Sequence, residues 1–258
     1  MPTRWAASCR VPPAHEAGMS APGVVIAAPS SGSGKTVLTI TLARHLVRRG
    51  LRVAPAKVGP DYIDPAFLSR AAGGAAVNLD TWAMRPGTLA ALAVALARQA
   101  DLVLVEGVMG LFDGVATDGR LDAGSTADLA ATTGWPVVLV VDAAGMAASA
   151  GALVAGFARH RPDLAVAGVV FNRVGSSAHG ELLAAAVAAA CPDVAVLGTV
   201  RRGALPTLPS RHLGLVQAGE HDDLDACLDA AAGSLGDGLD VAALLALARP
   251  ARNLAAAD

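Results

Sequence analysis

A chain of 258 residues, 53% apolar but only 3% aromatic, can bury a core for one large α/β domain or two small ones, and must build it from Ala, Val and Leu. Its formal charge of −2 and the lack of a basic stripe exclude nucleic-acid binding, which needs clustered Lys and Arg to neutralise phosphate. Three cysteines, Cys9, Cys191 and Cys227, without metal-like spacing fit a reducing cytoplasm rather than a disulfide framework.

Residues 1–18 hold no apolar stretch of signal-peptide type and carry Arg4, Arg10, Pro12 and Pro13. They predict a disordered extension over residues 1–20, with Met19 as the natural start. Val24–Ala28 predicts the first strand and Gly34–Arg49 the first helix, stopped by Gly50. Between them runs Pro29-Ser30-Ser31-Gly32-Ser33-Gly34-Lys35-Thr36. Small residues let backbone N–H groups approach phosphate oxygens, Lys35 can reach the outer phosphates, and the Thr36 hydroxyl can bind Mg²⁺. Pro29 replaces the usual first glycine of the motif, and an ordinary Ser/Gly turn is the alternative. A strand before it and an amphipathic helix after it favour the phosphate loop.

Leu51–Ala56 predicts the second strand, with Lys57 at its end, aimed at the nucleotide side. Next comes Lys57-Val58-Gly59-Pro60-Asp61-Tyr62-Ile63-Asp64-Pro65. The two prolines stiffen a segment bearing two carboxylates, which lowers the entropy cost of holding them in place. Alone, such a segment is an ordinary turn and helix cap; beside a phosphate loop it is a candidate site for a second substrate.

Helices are predicted at Ala66–Ala72 and Gly87–Gln99, then the apolar strand Asp101–Val105. Glu106 follows it in Glu106-Gly107-Val108-Met109-Gly110-Leu111-Phe112-Asp113-Gly114, where an acid can hold Mg²⁺ directly or through water. Ala123–Thr133 reads as helix, Pro136–Val141 as strand and Met146–His160 as helix. The uncharged run Ala143–Ala158 is shorter than the ~20 residues of a membrane span and reads as a buried helix.

Strands at Leu164–Phe171, Val194–Val200 and His212–Gln217 and helices at Ala178–Ala190, Leu224–Ala232 and Val241–Ala248 complete the pattern. Asn172 follows a strand and could pair with adenine or serve as a turn residue. Asp142 could be a turn residue or line the site. Cys191 and Cys227 predict small buried side chains. His15, His45, His160, His179 and His221 are expected at the surface or at helix ends. The alternation implies a mostly parallel sheet with helices on both faces, a three-layer α/β sandwich whose ligands bind at the carboxyl ends of the strands.

Five motifs occur in the order found in cobyrinic and hydrogenobyrinic acid a,c-diamide synthases: Ser30–Thr36, Lys57–Pro65, Asn78-Leu79-Asp80, Glu106–Gly114 and Arg211–Leu215. Over about residues 22 to 217 the chain resembles the synthetase domain of that family, which is similar in fold to dethiobiotin synthetase. The resemblance implies a cytoplasmic enzyme that amidates the a and c acetate groups of a corrin precursor. ATP with Mg²⁺ makes an acyl phosphate, and ammonia displaces the phosphate.

By the same resemblance, Ser31, Gly32, Ser33, Gly34, Lys35, Thr36, Asn172 and Arg211 bind nucleotide, with Asn172 at the adenine. Thr36 and Glu106 bind metal. Lys57, Asp61, Asp64, Glu106 and Asp113 are catalytic, and Tyr62 joins Asp61, Asp64 and Asp113 at the substrate. A homodimer is compatible with the fold family.

Two features depart from the family pattern. Ala28 stands where glycine is usual. Residues 21–235 read as the synthetase domain and 236–258 as a linker, so the family's glutaminase domain would be lost, truncated or a separate chain. Two other readings compete. A dethiobiotin synthetase-like ligase fits the length better and the Lys57–Pro65 motif worse. A regulatory switch ATPase would need a lysine where Ser30 stands.

Overall fold

The computed structural model describes residues 20–117, 119–205, 224–235 and 238–252. The N-terminal extension with Met19, the site candidate Arg211 and the strand expected at His212–Gln217 lie outside them. The chain begins β1 (Gly23–Ala27), α1 (Lys35–Arg48), β2 (Val53–Val58), α2 (Asp64–Ala72), β3 (Val77–Leu79), α3 (Pro86–Arg98) and β4 (Leu102–Glu106). It continues β5 (Val115–Thr117), β6 (Arg120–Ala123), α4 (Thr126–Thr133), β7 (Val137–Asp142), α5 (Ser149–His160) and β8 (Val166–Val174). The last elements are α6 (Ser177–Ala190), β9 (Ala195–Arg201), α7 (Leu224–Leu235) and α8 (Val241–Leu247).

Seven of the strands form one sheet in the order β3-β2-β4-β1-β7-β8-β9, every described pair parallel. Side chains alternate across it. Val24 and Ile26 of β1 face a core shared with α1, α2, α7 and α8. Val25 and Ala27 face the core under α3, α4, α5 and α6. Because both faces are covered, the central strands are apolar throughout, as the sequence reading required of a three-layer α/β sandwich. The core is mainly Ala, Val and Leu, with Trp135 and Phe171 its largest fully buried side chains.

Several sequence expectations change. The helix expected from Ala123 starts at Thr126, because Gly124 takes a left-handed turn (φ 74°) and the Ser125 hydroxyl caps the helix on the Asp128 N–H. The residues before it form the antiparallel hairpin β5–β6. That hairpin and β3 are too short for hydrophobic alternation to reveal. The segment read as a linker after residue 235 instead packs on the sheet. Leu239, Val241 and Leu244 are buried, the Asp240 N–H donates to the Leu197 carbonyl at 2.7 Å, and Arg249 bridges to Gly23. The packed unit therefore runs through at least Arg249. Cys227 is exposed rather than buried, whereas Cys191 is buried as expected. His45 is buried, with Nδ1 2.8 Å from the Ala232 carbonyl of α7.

Candidate functional site

The carboxyl ends of β1, β2 and β4 gather most of the expected site residues. The phosphate loop leaves β1 and enters α1 at Lys35. Ser31 and Gly32 are exposed, whereas Ser33 and Lys35 are buried. The Ser33 hydroxyl donates to the Ser30 carbonyl at 2.9 Å, which folds the loop on itself. Gly34 adopts φ 91°, a left-handed conformation that glycine takes without a Cβ penalty. Its N–H and those that follow open the first turn of α1, where orphan donors and the helix dipole favour an anion.

Asn172 meets this loop from below. It lies inside β8 rather than after a strand, in register with Asp142 of β7. Its Nδ2 donates to the Ser33 carbonyl at 2.9 Å, and its Oδ1 accepts the Arg173 N–H at 2.9 Å. A Cβ on Gly34 would sit 2.2 Å from that Nδ2. Arg173 holds a left-handed backbone (φ 57°), and its guanidinium pairs with the Asp142 carboxylate. The Asn172 amide thus supports the phosphate loop with one of its two N–H groups and takes the next residue's N–H on its oxygen. Asp142 contributes to this brace and also accepts the Ala144 N–H at 3.0 Å.

The second half of the site is one row of the sheet. β2 runs past Ala56, so Lys57 lies within the strand, in register with Glu106 of β4 on one side and Asn78 of β3 on the other. Lys57 is 2% exposed and Glu106 0%. The Lys57 Nζ lies 3.0 Å from Glu106 Oε1, 2.8 Å from Asp64 Oδ2 and 3.8 Å from Asp61 Oδ2, and it donates to the Gly107 carbonyl at 3.1 Å. The Thr36 hydroxyl donates to Glu106 Oε1 and so joins the phosphate loop to the row. Asp61 also plays the capping part: its Oδ1 accepts the N–H groups of Ile63 and Asp64 at the start of α2, and Pro65 occupies the first turn.

One lysine here faces three carboxylates inside the protein. Burial pushes the Glu106 carboxyl above its usual range, and the Asp64 charge adds to this, against the opposing pull of Lys57 and Thr36. Burial would lower the Lys57 ammonium, but Glu106 and Asp64 outweigh it and hold the group charged. Glu106 Oε2 is buried with no hydrogen-bond partner among the described residues. A buried carboxylate oxygen left over, beside a hydroxyl oxygen at a phosphate loop, is the hard-oxygen donor set that suits Mg²⁺. Thr36 and Glu106 could hold such an ion.

The loop after β4 is stitched to the phosphate loop. The Gly107 N–H donates to the Ile26 carbonyl and the Leu111 N–H to the Ala28 carbonyl, both at 2.8 Å. Gly110 is pinned: a Cβ there would lie 2.6 Å from both the Pro29 carbonyl and Asp113 Oδ2. Asp113 is exposed and its Oδ2 accepts the Gly110 N–H at 2.8 Å, so it shapes the loop. Phe112 stacks on Phe157 of α5 at 5.3 Å, which anchors the loop's far end. Tyr62 is 74% exposed.

Two supporting residues escaped assignment to the site. Asn78 donates from Nδ2 to the Asp61 carbonyl at 2.6 Å and so fixes the carboxylate segment; its place in a motif was the available signal. Thr126 accepts the Val108 N–H at 2.9 Å and donates to the Val108 carbonyl at 3.1 Å. Nothing in the sequence pattern marks it, because the contact joins the start of α4 to a distant loop.

The chain is 53% identical over 228 residues to the hydrogenobyrinate a,c-diamide synthase of Rhizobium meliloti (strain 1021), covering 88% of this chain and 52% of that protein. It is 50% identical over 233 residues to the synthase of the same name from Mesorhizobium japonicum, covering 90% and 52%. The chain thus spans about half the length of the curated relatives it matches. Among solved structures, the signal recognition particle 54 kDa protein from Aeropyrum pernix K1 with GDP aligns at 22% identity, covering 84% of this chain and 50% of that one. The TM-score is 0.48, and the fold assignment rests on the sheet topology instead. The model of the CobQ/CobB/MinD/ParA nucleotide binding domain matches residues 24–216, which include the phosphate loop, the Lys57 row and Asn172, and the chain belongs to that family.

Proposed function

We propose that this chain is the synthetase half of an a,c-diamide synthase, which uses ATP to amidate acetate carboxylates of cobyrinic or hydrogenobyrinic acid in cobalamin biosynthesis. The observation that carries the reading is the buried Lys57–Asp64–Glu106 cluster, tied to the phosphate loop through Thr36. A nucleotide-binding fold has no need of a second buried charge network beside its phosphate site. A carboxylate-activating ligase does, because the γ-phosphoryl group must pass to a second molecule held in line.

In this reading the N–H groups of Ser31–Gly34 and the Lys35 ammonium cradle the ATP phosphates, with Arg211 contributing to the nucleotide. Thr36 and Glu106 would hold Mg²⁺, which would supply neutralisation of charge on the phosphates. Lys57, kept charged by its neighbours, faces the transferring group and stabilises its developing negative charge. The substrate carboxylate oxygen attacks the γ-phosphorus and ADP leaves. Asp61, Tyr62, Asp64 and Asp113 then border the acyl phosphate. Ammonia adds to its carbonyl carbon, phosphate departs, and one proton is lost to give the amide. The ammonia comes from solution or from a glutaminase domain or subunit. The setting is the cytoplasm, and no helix among the described residues is long and apolar enough to cross a membrane.

The test is incubation of the chain with ATP, Mg²⁺ and either acid, with ammonium or glutamine as nitrogen source, followed by mass spectrometry. Replacement of carboxylate by amide, at one or two positions, is the expected result. ATP-dependent amidation of neither acid under any of these conditions overturns the reading.

A further inference from the structure

Large apolar side chains that stay exposed are few among the described residues, and they are not scattered. Six stand out, and four of them, Tyr62, Trp82, Met109 and Val115, sit on or next to the loops that follow β2, β3 and β4. These are the strands of the Lys57 row. The phosphate loop follows β1, and past the ends of β7, β8 and β9 no described side chain of this kind is exposed.

Trp82 and Met109 are held out by built devices. Asp80 is buried, and its Oδ1 accepts the N–H groups of Trp82 at 2.9 Å and Ala83 at 3.1 Å, which fixes the turn that carries the indole. The Trp82 Cβ lies against Gly124, where an added Cβ would approach it to 2.8 Å. Even so, Trp82 is 54% exposed. Met109 is 55% exposed and sits in a left-handed conformation (φ 47°), which an unbranched L-residue adopts only when its surroundings hold it there. Those surroundings are Gly110, pinned between Pro29 and Asp113, and Val108, clamped by Thr126. An indole and a thioether carried into water on fixed backbone turns signal a ligand surface.

We infer that Trp82 and Met109, with Tyr62, form an apolar collar that receives the flat face of the macrocyclic substrate while one of its carboxylate arms enters the Lys57 row. This deepens the proposed function and rests on it. The reacting arm is an acetate, only two carbons long, so the ring must come down onto whatever surrounds the buried row. The row's excess of carboxylates offers a polyanionic ring little attraction beyond the arm held near Lys57. Apolar contact with the ring face supplies what charge cannot, and a polarisable sulfur and an indole suit a conjugated ring.

The test is direct titration of the chain with hydrogenobyrinic acid and with cobyrinic acid, followed through the pigment's visible absorbance, in wild type, Trp82→Ala, Trp82→Phe and Met109→Ala. Trp82→Ala is expected to weaken binding about tenfold, as loss of a stacking platform does elsewhere. Met109→Ala should weaken it about threefold, and Trp82→Phe should recover most of the loss. ATP affinity and melting temperature should stay at wild-type values in all three. Wild-type binding with unchanged affinity in both alanine variants overturns the collar and leaves the proposed function standing. Failure of the wild type to bind either corrin acid overturns both. Unchanged pigment binding with altered self-association in the variants would make the collar a face for a second copy and would likewise overturn the proposal.

Discussion

Among the described residues, two places bring one basic side chain to three carboxylates, and their surroundings differ. At the carboxyl end of the sheet, Lys57 meets Asp61, Asp64 and Glu106. Below α5, Arg161 meets Asp122 at 2.6 Å, Asp128 at 2.9 Å and also Asp163. The Arg161 group is partly open to water and balanced by a second cation, Arg120, and its hydrogen bonds hold the Asp122 and Asp163 carboxyls below their usual range. It staples hairpin and α4 to α5. The Lys57 group is buried and carries more negative than positive charge; burial pushes Glu106 up, and one Glu106 oxygen has no partner among the described residues. Burial and an unsatisfied oxygen, rather than the gathering of charges, separate a site from a staple.

The largest effect on turnover should come from Glu106. Glu106→Gln should lower amidation by about 100-fold or more, ~2.7 kcal/mol of barrier, while the nucleotide-free and metal-free protein melts no lower than wild type. A lower melting temperature with undiminished turnover would reduce the Lys57 group to a staple. Lys57→Met should be the most destabilising single change of the two groups, by about 3–5 kcal/mol, because it leaves buried carboxylates uncompensated. Denaturant melts check this.

Next in size is Asn172. If it braces the loop, Asn172→Ala should weaken ATP and GTP by the same factor, about tenfold, equivalent to ~1.4 kcal/mol. A loss confined to ATP would return Asn172 to the adenine. Smallest is Arg161→Ala, expected to cost about 1 kcal/mol of stability and no turnover, as partly exposed ion pairs do.

pH separates the two groups by sign. Asp122 and Asp163 have depressed carboxyls in the folded state, so their contribution is complete above the ordinary carboxylate pKa of about 4 and is lost as pH falls through the folded values. The melting difference between wild type and Arg161→Ala should close in acid. The Glu106 carboxyl is raised, so its ionised form costs stability at high pH and the cost vanishes as pH falls through the raised value. Any stability advantage of Glu106→Gln in metal-free protein should therefore shrink toward acid. Circular dichroism melts between neutral and acid pH read both trends.

Much of this site was legible in the sequence. The phosphate loop announces itself because its chemistry is local: small residues, then Lys35 and Thr36, at a strand-to-helix junction. Glu106 at the end of an apolar strand and the proline-bounded carboxylates were legible for the same reason. Asn172 was singled out in the sequence, but its contact with the phosphate loop was not, since its partner, the Ser33 carbonyl, is a backbone group supplied by the chain's first loop. Helix α8 was recognised as helical, yet its packing on the sheet was hidden behind a Gly- and Asp-rich approach. Trp82 drew no notice because exposure has no sequence signature.

The sequence by itself therefore determined the alternation of strand and helix, the phosphate-loop chemistry and the order of motifs, all carried by residues close together in the chain. Only the tertiary structure decided that Lys57 lies beside Glu106, that Thr36 reaches the same carboxylate, and that Asn172 lies beneath Gly34. Those pairings depend on the register of strands β2 and β4 and of β7 and β8. That register is set when helices cover both faces of the sheet, and no local run of residues encodes it.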